Sequence, residues 1–193
     1  METIDFTRQY RDIYTARKGM PRIVEVPELQ FLMFDGTGEP GNERFLAGIQ
    51  ALYSVSYPVR FAIKQRDRIA YKVMPLQGLW GDPQAGWEWT LMIMQPDFVT
   101  KAEIDEEVEA ALAKGVAAAA EVRLERFTEG RCAQVMHVGP YSEEEPTIAL
   151  LHDYIAEHGL APSGLHHEIY LGDPNRSKPE NLKTIIRRPV VPA

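Results

Sequence analysis

The chain has 193 residues, 45% of them apolar and 25% charged, enough for one sizeable hydrophobic core or two smaller ones. Lys and Arg number 21 against 28 Asp and Glu, and no Lys/Arg run makes the basic stripe that a phosphate backbone requires, which argues against direct DNA or RNA binding. The single cysteine, Cys132, excludes an intramolecular disulfide and a multi-thiolate metal site within one chain, and reads as a buried thiol.

The N-terminus, METIDFTRQYRDIYTARKG, is polar and charged throughout. Nowhere do about 18 consecutive apolar residues occur, so no membrane span and a cytoplasmic location are expected. From Asp5, Phe6, Tyr10, Ile13 and Tyr14 recur at helical spacing until Gly19 and Pro21 stop them, which predicts a short amphipathic helix. A second helix is predicted from about Asn42 to Val55, with Phe45, Leu46, Ile49, Leu52 and Tyr53 on one face. Thr100 and Glu103 have capping-box spacing and open a third, which ends near Gly115 or in the alanine run beyond it. A fourth begins between Ser142 and Pro146. Either Ser142 and Glu145 form a capping box, or Pro146 takes the first helical position and Glu145 the cap.

Strands are predicted at Leu29–Asp35, Ile69–Leu76, Trp87–Met94, Glu121–Phe127, Cys132–Val138, Leu165–Leu171 and Leu182–Arg188, short β-branched or aromatic runs bounded by Gly, Pro or Asp. There are too few helices for one between every pair of strands, so the expected class is α+β with largely antiparallel sheet. FLMFDGTGEPGNERFLAGIQALY and AQVMHVGPYSEEEPTIALLHDYI share the order strand, bend, helix, and each is followed by two strands. The expected organisation is a single domain. Residues 1–28 form an N-terminal helix and lead-in, 29–98 a first strand-helix-strand-strand module, 99–118 a connecting helix and 119–193 a second module. A ligand cleft between the modules is the natural site for small molecules.

Alternation along Leu165–Leu171 puts Leu165, His167, Ile169 and Leu171 on a core face and His166, Glu168 and Tyr170 on the other, which either meets water or lines a pocket. Trp80, Trp87 and Trp89 lie within ten residues, the latter two on one strand face. With Tyr53, Tyr57, Tyr71, Tyr141 and Tyr170 they read either as core or as an aromatic wall for a flat or cationic ligand, with Glu168 as counter-charge. His166 and His167 point to opposite sides of their strand, and His152 and His158 are off the i, i+4 helical spacing, so neither pair holds a metal; no metal or cofactor is expected. DGTGEPG lacks the G-K-[ST] of a phosphate loop, and no G-x-S-x-G elbow is present.

DGTGEPG, ALYSVSYPVRF, PLQGLW, WEWTLMIMQPDFVT, EGRCAQVMHVGPYSEEEPTI, HHEIYLGDP and LKTIIRRPV, seven motifs in register over nearly the whole chain, resemble the stand-alone branch of the GyrI-like small-molecule-binding superfamily. The resemblance implies two tandem modules related by a pseudo-two-fold axis. It also implies a strand glutamate, here Glu168, that meets lipophilic cations, with Trp80, Trp87, Trp89, Tyr141 and Tyr170 as aromatic partners, to which the residue pattern adds His166 and Tyr71. Regulators of this superfamily carry a helix-turn-helix before the domain; only about 28 residues precede the first central strand here, so a self-contained transcription factor is not expected. Three functions follow. The first is binding of hydrophobic, aromatic or cationic small molecules in xenobiotic sensing, sequestration or detoxification. The second, implied by relatives that open cyclopropane rings of DNA-alkylating compounds, is a hydrolase with Glu168 as general base and Tyr141 or Tyr170 as acid or anchor. The third is a protein-binding module of the gyrase-inhibitor kind.

Overall fold

The computed structural model describes all residues, Met1–Ala193. In chain order the elements are β1 (Glu2–Ile4), α1 (Phe6–Gln9), α2 (Arg11–Tyr14), β2 (Arg22–Thr37), α3 (Glu43–Asp67), β3 (Ile69–Tyr71), β4 (Leu76–Trp80), β5 (Glu88–Gln95), α4 (Lys101–Ala113), β6 (Arg123–Val138), α5 (Glu145–Glu157), β7 (Leu160–Pro162), β8 (His166–Tyr170) and β9 (Lys183–Pro192). The class is α+β, and apart from the parallel β1–β3 pair the strand registers described below are antiparallel. No helix is long and apolar enough to cross a membrane.

The chain packs as two units, neither contiguous in sequence: Met1–Gln9, Leu29–Met74 and Gly81–Phe127 make the first, and Tyr10–Glu28, Pro75–Trp80 and Thr128–Ala193 the second. In the first unit β2 pairs with β5 from Gln30↔Gln95 to Thr37↔Glu88. Helix α3 starts where Asn42 Oδ1 accepts the Phe45 N–H at 2.8 Å. It packs closely enough that a Cβ on Gly48 would lie 2.5 Å from the Phe34 ring. The helix runs 25 residues, past the Val55 end expected from sequence and through Pro58. An interior proline costs about 3 kcal/mol. Val59 and Ile63 continue the buried stripe of Leu52 and Val55, and burying two such side chains contributes about 1.5–3 kcal/mol each, which offsets the proline. Helix α4 carries the complete Thr100–Glu103 capping box and ends at Ala113, with Lys114 as its C-cap before Gly115.

In the second unit β8 lies between β4 and β9, with Gly78↔Glu168 on one side and Glu168↔Ile186 on the other, and β9 pairs in turn with β6 and β7. Leu151 and Ile155 of α5 close over Ala133, Val135, Ile186 and Val190 to form the core on that face. The N-terminal helix expected as one piece is two single turns broken at Tyr10, because Phe6 packs with the first unit while Ile13 and Tyr14 are buried in the second. The predicted Ile69–Leu76 strand divides into β3 and β4, which pair with β1 and β8 respectively. Glu121–Phe127 and Cys132–Val138 are one strand, β6, with Gly130 inside it at φ +76°.

Candidate functional site

Residues two apart on a strand share a face, so β8 presents His166, Glu168 and Tyr170 side by side. His166 Nε2 lies 2.9 Å from Glu168 Oε1, and the Tyr170 hydroxyl donates to Glu168 Oε2 at 2.7 Å. Trp80 of β4 donates its indole N–H to the Tyr170 oxygen at 3.1 Å. Gly78, directly across from Glu168, makes room for this: a Cβ there would sit 2.8 Å from Trp80 Nε1 and 3.3 Å from the Tyr170 oxygen. The Tyr141 ring meets Tyr170 edge-on at 5.7 Å and is itself 41% exposed, so the aromatic group has a solvent side. The structure thus gathers Trp80, Tyr141, His166, Glu168 and Tyr170 in one place.

Glu144 joins them, although no spacing or motif in the chain pointed to it. Neither expected start of the fourth helix forms: a 3-10 turn, Tyr141–Glu143, leads into α5, Glu144 takes the cap position with no side-chain cap bond, and Pro146 lies in the first turn. Released from capping, the Glu144 side chain is buried beside the Glu168 carboxyl. In SEEEP three successive glutamates read as helix-start chemistry or solvated charge, and nothing in their spacing singles out the middle one.

The electrostatics divide the two carboxyls. Burial and then the neighbouring Glu168 charge push Glu144 up to about 9. Burial also raises Glu168, but the hydrogen bond and charge of His166, followed by the Tyr170 and Glu144 side chains, outweigh it and hold Glu168 below the ordinary carboxyl value. Burial and the Glu168 charge raise Tyr170 well above its usual value, so the phenol keeps its proton to donate. Around neutrality the site is one carboxylate, one carboxylic acid, an imidazole, two phenols and an indole. No His, Cys, Asp or Glu cluster has the makings of a metal site.

Tyr71, Trp87 and Trp89 belong to the first unit. Trp89 is buried, its ring stacked with Phe34, edge-on to Phe45 and seated over Gly36, and its N–H donates to the Gly38 carbonyl at 3.1 Å. Tyr71 is buried against Phe6 and Phe98. Trp87 stands before β5 at φ +54°, so the strand alternation that would set it beside Trp89 does not reach it.

The opposite face of β8 carries a second polar group. His167 Nδ1 lies 2.9 Å from Glu129 Oε1, Arg187 donates to Glu129 Oε2 at 3.0 Å and to Gln134 Oε1 at 3.0 Å, and Gln134 donates to the Asp12 and Thr15 carbonyls. Arg187 also donates to the Ile13 carbonyl, so the open end of α2 is satisfied by side chains of the sheet. Burial holds His167 below its ordinary value. His167 Nε2 lies 3.0 Å from Gln77 Oε1, and the Gln77 amide donates to the Tyr14 hydroxyl at 2.8 Å. This group anchors α2 and braces β8 from behind.

Among solved structures the chain is 38% identical to a hydrolase from Listeria innocua, over 97% of this chain and 100% of that one, with a TM-score of 0.87. It is 39% identical to an uncharacterized conserved protein from the same organism, again over 97% and 100%, with a TM-score of 0.88. The C-terminal domain of EcmrR is similar in fold alone, at 11% identity over 90% of this chain and 98% of that one, with a TM-score of 0.56. Comparison with curated proteins gives no match. The family model for the GyrI-like small molecule binding domain matches residues 19–191, and with the Listeria proteins alike over their whole length the chain belongs to that family.

Proposed function

We propose that the Glu168 face of β8 binds lipophilic aromatic cations, in xenobiotic sensing, sequestration or detoxification. One observation carries this reading. Glu168 has a side chain only 14% exposed, no lysine or arginine pairs with it, and hydrogen bonds from His166 and Tyr170 keep it ionised. A carboxylate that is nearly dry and has no lysine or arginine partner is a counter-charge in waiting. Trp80, Tyr141 and Tyr170 beside it supply ring faces and edges, with cation–π contacts worth about 0.5–2 kcal/mol each. Fluorescence titration with ethidium, whose charge is independent of pH, tests the reading. Glu168→Gln is expected to bind about 10- to 100-fold more weakly, the loss of a hydrogen-bonded charge of about 1.5–3 kcal/mol; equal affinity of variant and wild type overturns it.

A second reading, a hydrolase that opens strained rings, is favoured by the pairing of a neutral Glu144 with an ionised Glu168, since such a pair supplies both an acid and a base. The 38%-identical Listeria protein described as a hydrolase supports it. A cyclopropane-containing aromatic consumed no faster than in buffer removes this reading, and consumption that persists in Glu168→Gln removes Glu168 as its base.

A further inference from the structure

An ionised carboxyl only accepts hydrogen bonds, so two carboxylates cannot bond to one another. Glu144 and Glu168 nevertheless meet side chain to side chain. Glu168 is already the acceptor, with Oε1 at His166 and Oε2 at Tyr170. Glu144 is only 7% exposed, and as an anion it would leave Oε1 buried with no donor to meet it. A proton on Glu144 removes both conflicts, because the acid becomes the donor. The groups around the pair do not supply an alternative. From β8 come His166 and Tyr170, from the 3-10 turn Tyr141, and from β4 the uncharged Trp80. Beyond them His166 and Arg188 of β9 both act electrostatically on His152 of α5, and Asp173 acts on Tyr141. Neither carboxyl is in an ion pair with lysine or arginine; the one basic side chain within hydrogen-bond distance of Glu168 is His166.

We propose that Glu144 and Glu168 hold one proton between them and that an incoming cation expels it, making ligand uptake at this site proton-coupled. The coupling rests on the cation-binding reading above. A positive charge within about 4–6 Å lowers a carboxyl by about 1–3 pH units, so the occupied site holds its proton less tightly than the empty one. Linkage then requires the converse: raising the pH strengthens cation binding, until the empty site has also lost its proton and the affinity levels off. The empty site carries one negative charge and the filled site two.

Calorimetric titration of the intact protein with ethidium in two buffers of different ionisation enthalpy counts the protons released. At about pH 8 the expected release is about one half to one proton per ligand, with affinity rising by up to about tenfold per pH unit toward about pH 9 and then levelling. Glu144→Gln is expected to bind ethidium with no proton release and a flat profile over the same range. In the ligand-free wild type, infrared spectroscopy at pH 7 is expected to show a carboxylic-acid carbonyl band that Glu144→Gln lacks. Binding without proton release, an unchanged pH profile in Glu144→Gln, or no such band overturns the proposal. Failure of ethidium to bind at any pH, with the band present, instead overturns the cation-binding reading and takes the coupling with it.

Discussion

Replacing Glu129 by glutamine removes the anion that the opposite face of β8 is built around. The Glu129 and Arg187 side chains are 1% and 2% exposed, so the variant leaves a guanidinium in a dry interior with no counter-charge. Breaking one side of a buried pair costs about 3–5 kcal/mol. The protonation equilibrium gives a similar figure. Burial raises Glu129, but His167 and Arg187 outweigh it and bring the carboxyl from its ordinary 4.5 down to about 2. A folded value below the unfolded one means that the ionised carboxyl stabilises the protein above about pH 4.5 and that the contribution fades as pH falls toward 2; the difference amounts to about 3 kcal/mol. Urea unfolding followed by circular dichroism should therefore show Glu129→Gln about 3–4 kcal/mol less stable than wild type at pH 7, with the gap narrowing as pH falls below about 4. The double variant Glu129→Gln/Arg187→Met should cost clearly less than the sum of the singles, because removing both charges leaves neither stranded. Strict additivity, or a Glu129→Gln loss at pH 7 below about 0.5 kcal/mol, would falsify the claim that this pair is an energetic unit.

Gly78→Ala places a Cβ 2.8 Å from the Trp80 indole nitrogen, which must give way and loosen its bond to Tyr170. Ethidium affinity should fall about 5- to 10-fold with the fold retained, and unchanged affinity would show that the Trp80–Tyr170 bond does not order the site. Cys132 is fully buried, and burial followed by the Glu129 charge pushes its thiol well above the ordinary value. It should resist alkylation by iodoacetamide in the native protein and react once urea unfolds it; labelling at equal rates in both states would contradict that burial.

Period-2 alternation was enough to set Glu168, His166 and Tyr170 on one face of β8 and His167 on the other, and the apolar periodicity from about Asn42 and the capping box at Thr100 located two helix starts. These features depend on neighbours within a few residues, where spacing and backbone geometry act alone. The far end of α3 was not legible, because Pro58 is a local stop signal that buried packing of Val59 and Ile63 overrides. Nor was the split of Phe6 from Ile13 and Tyr14, which depends on which unit each side chain joins. The chemistry of the site divides the same way. The α+β class and the acid-bearing face of β8 were legible in the residue pattern. Folding was needed to turn Glu144, 24 positions before Glu168 in the chain, inward rather than into a cap of α5, to close the other side with Gly78 and Trp80 of β4, and to bring Glu129 to Arg187 behind the strand. The physical reason is that the ionisation of a buried carboxyl is set by the groups that folding brings against it, and those arrive from distant parts of the chain.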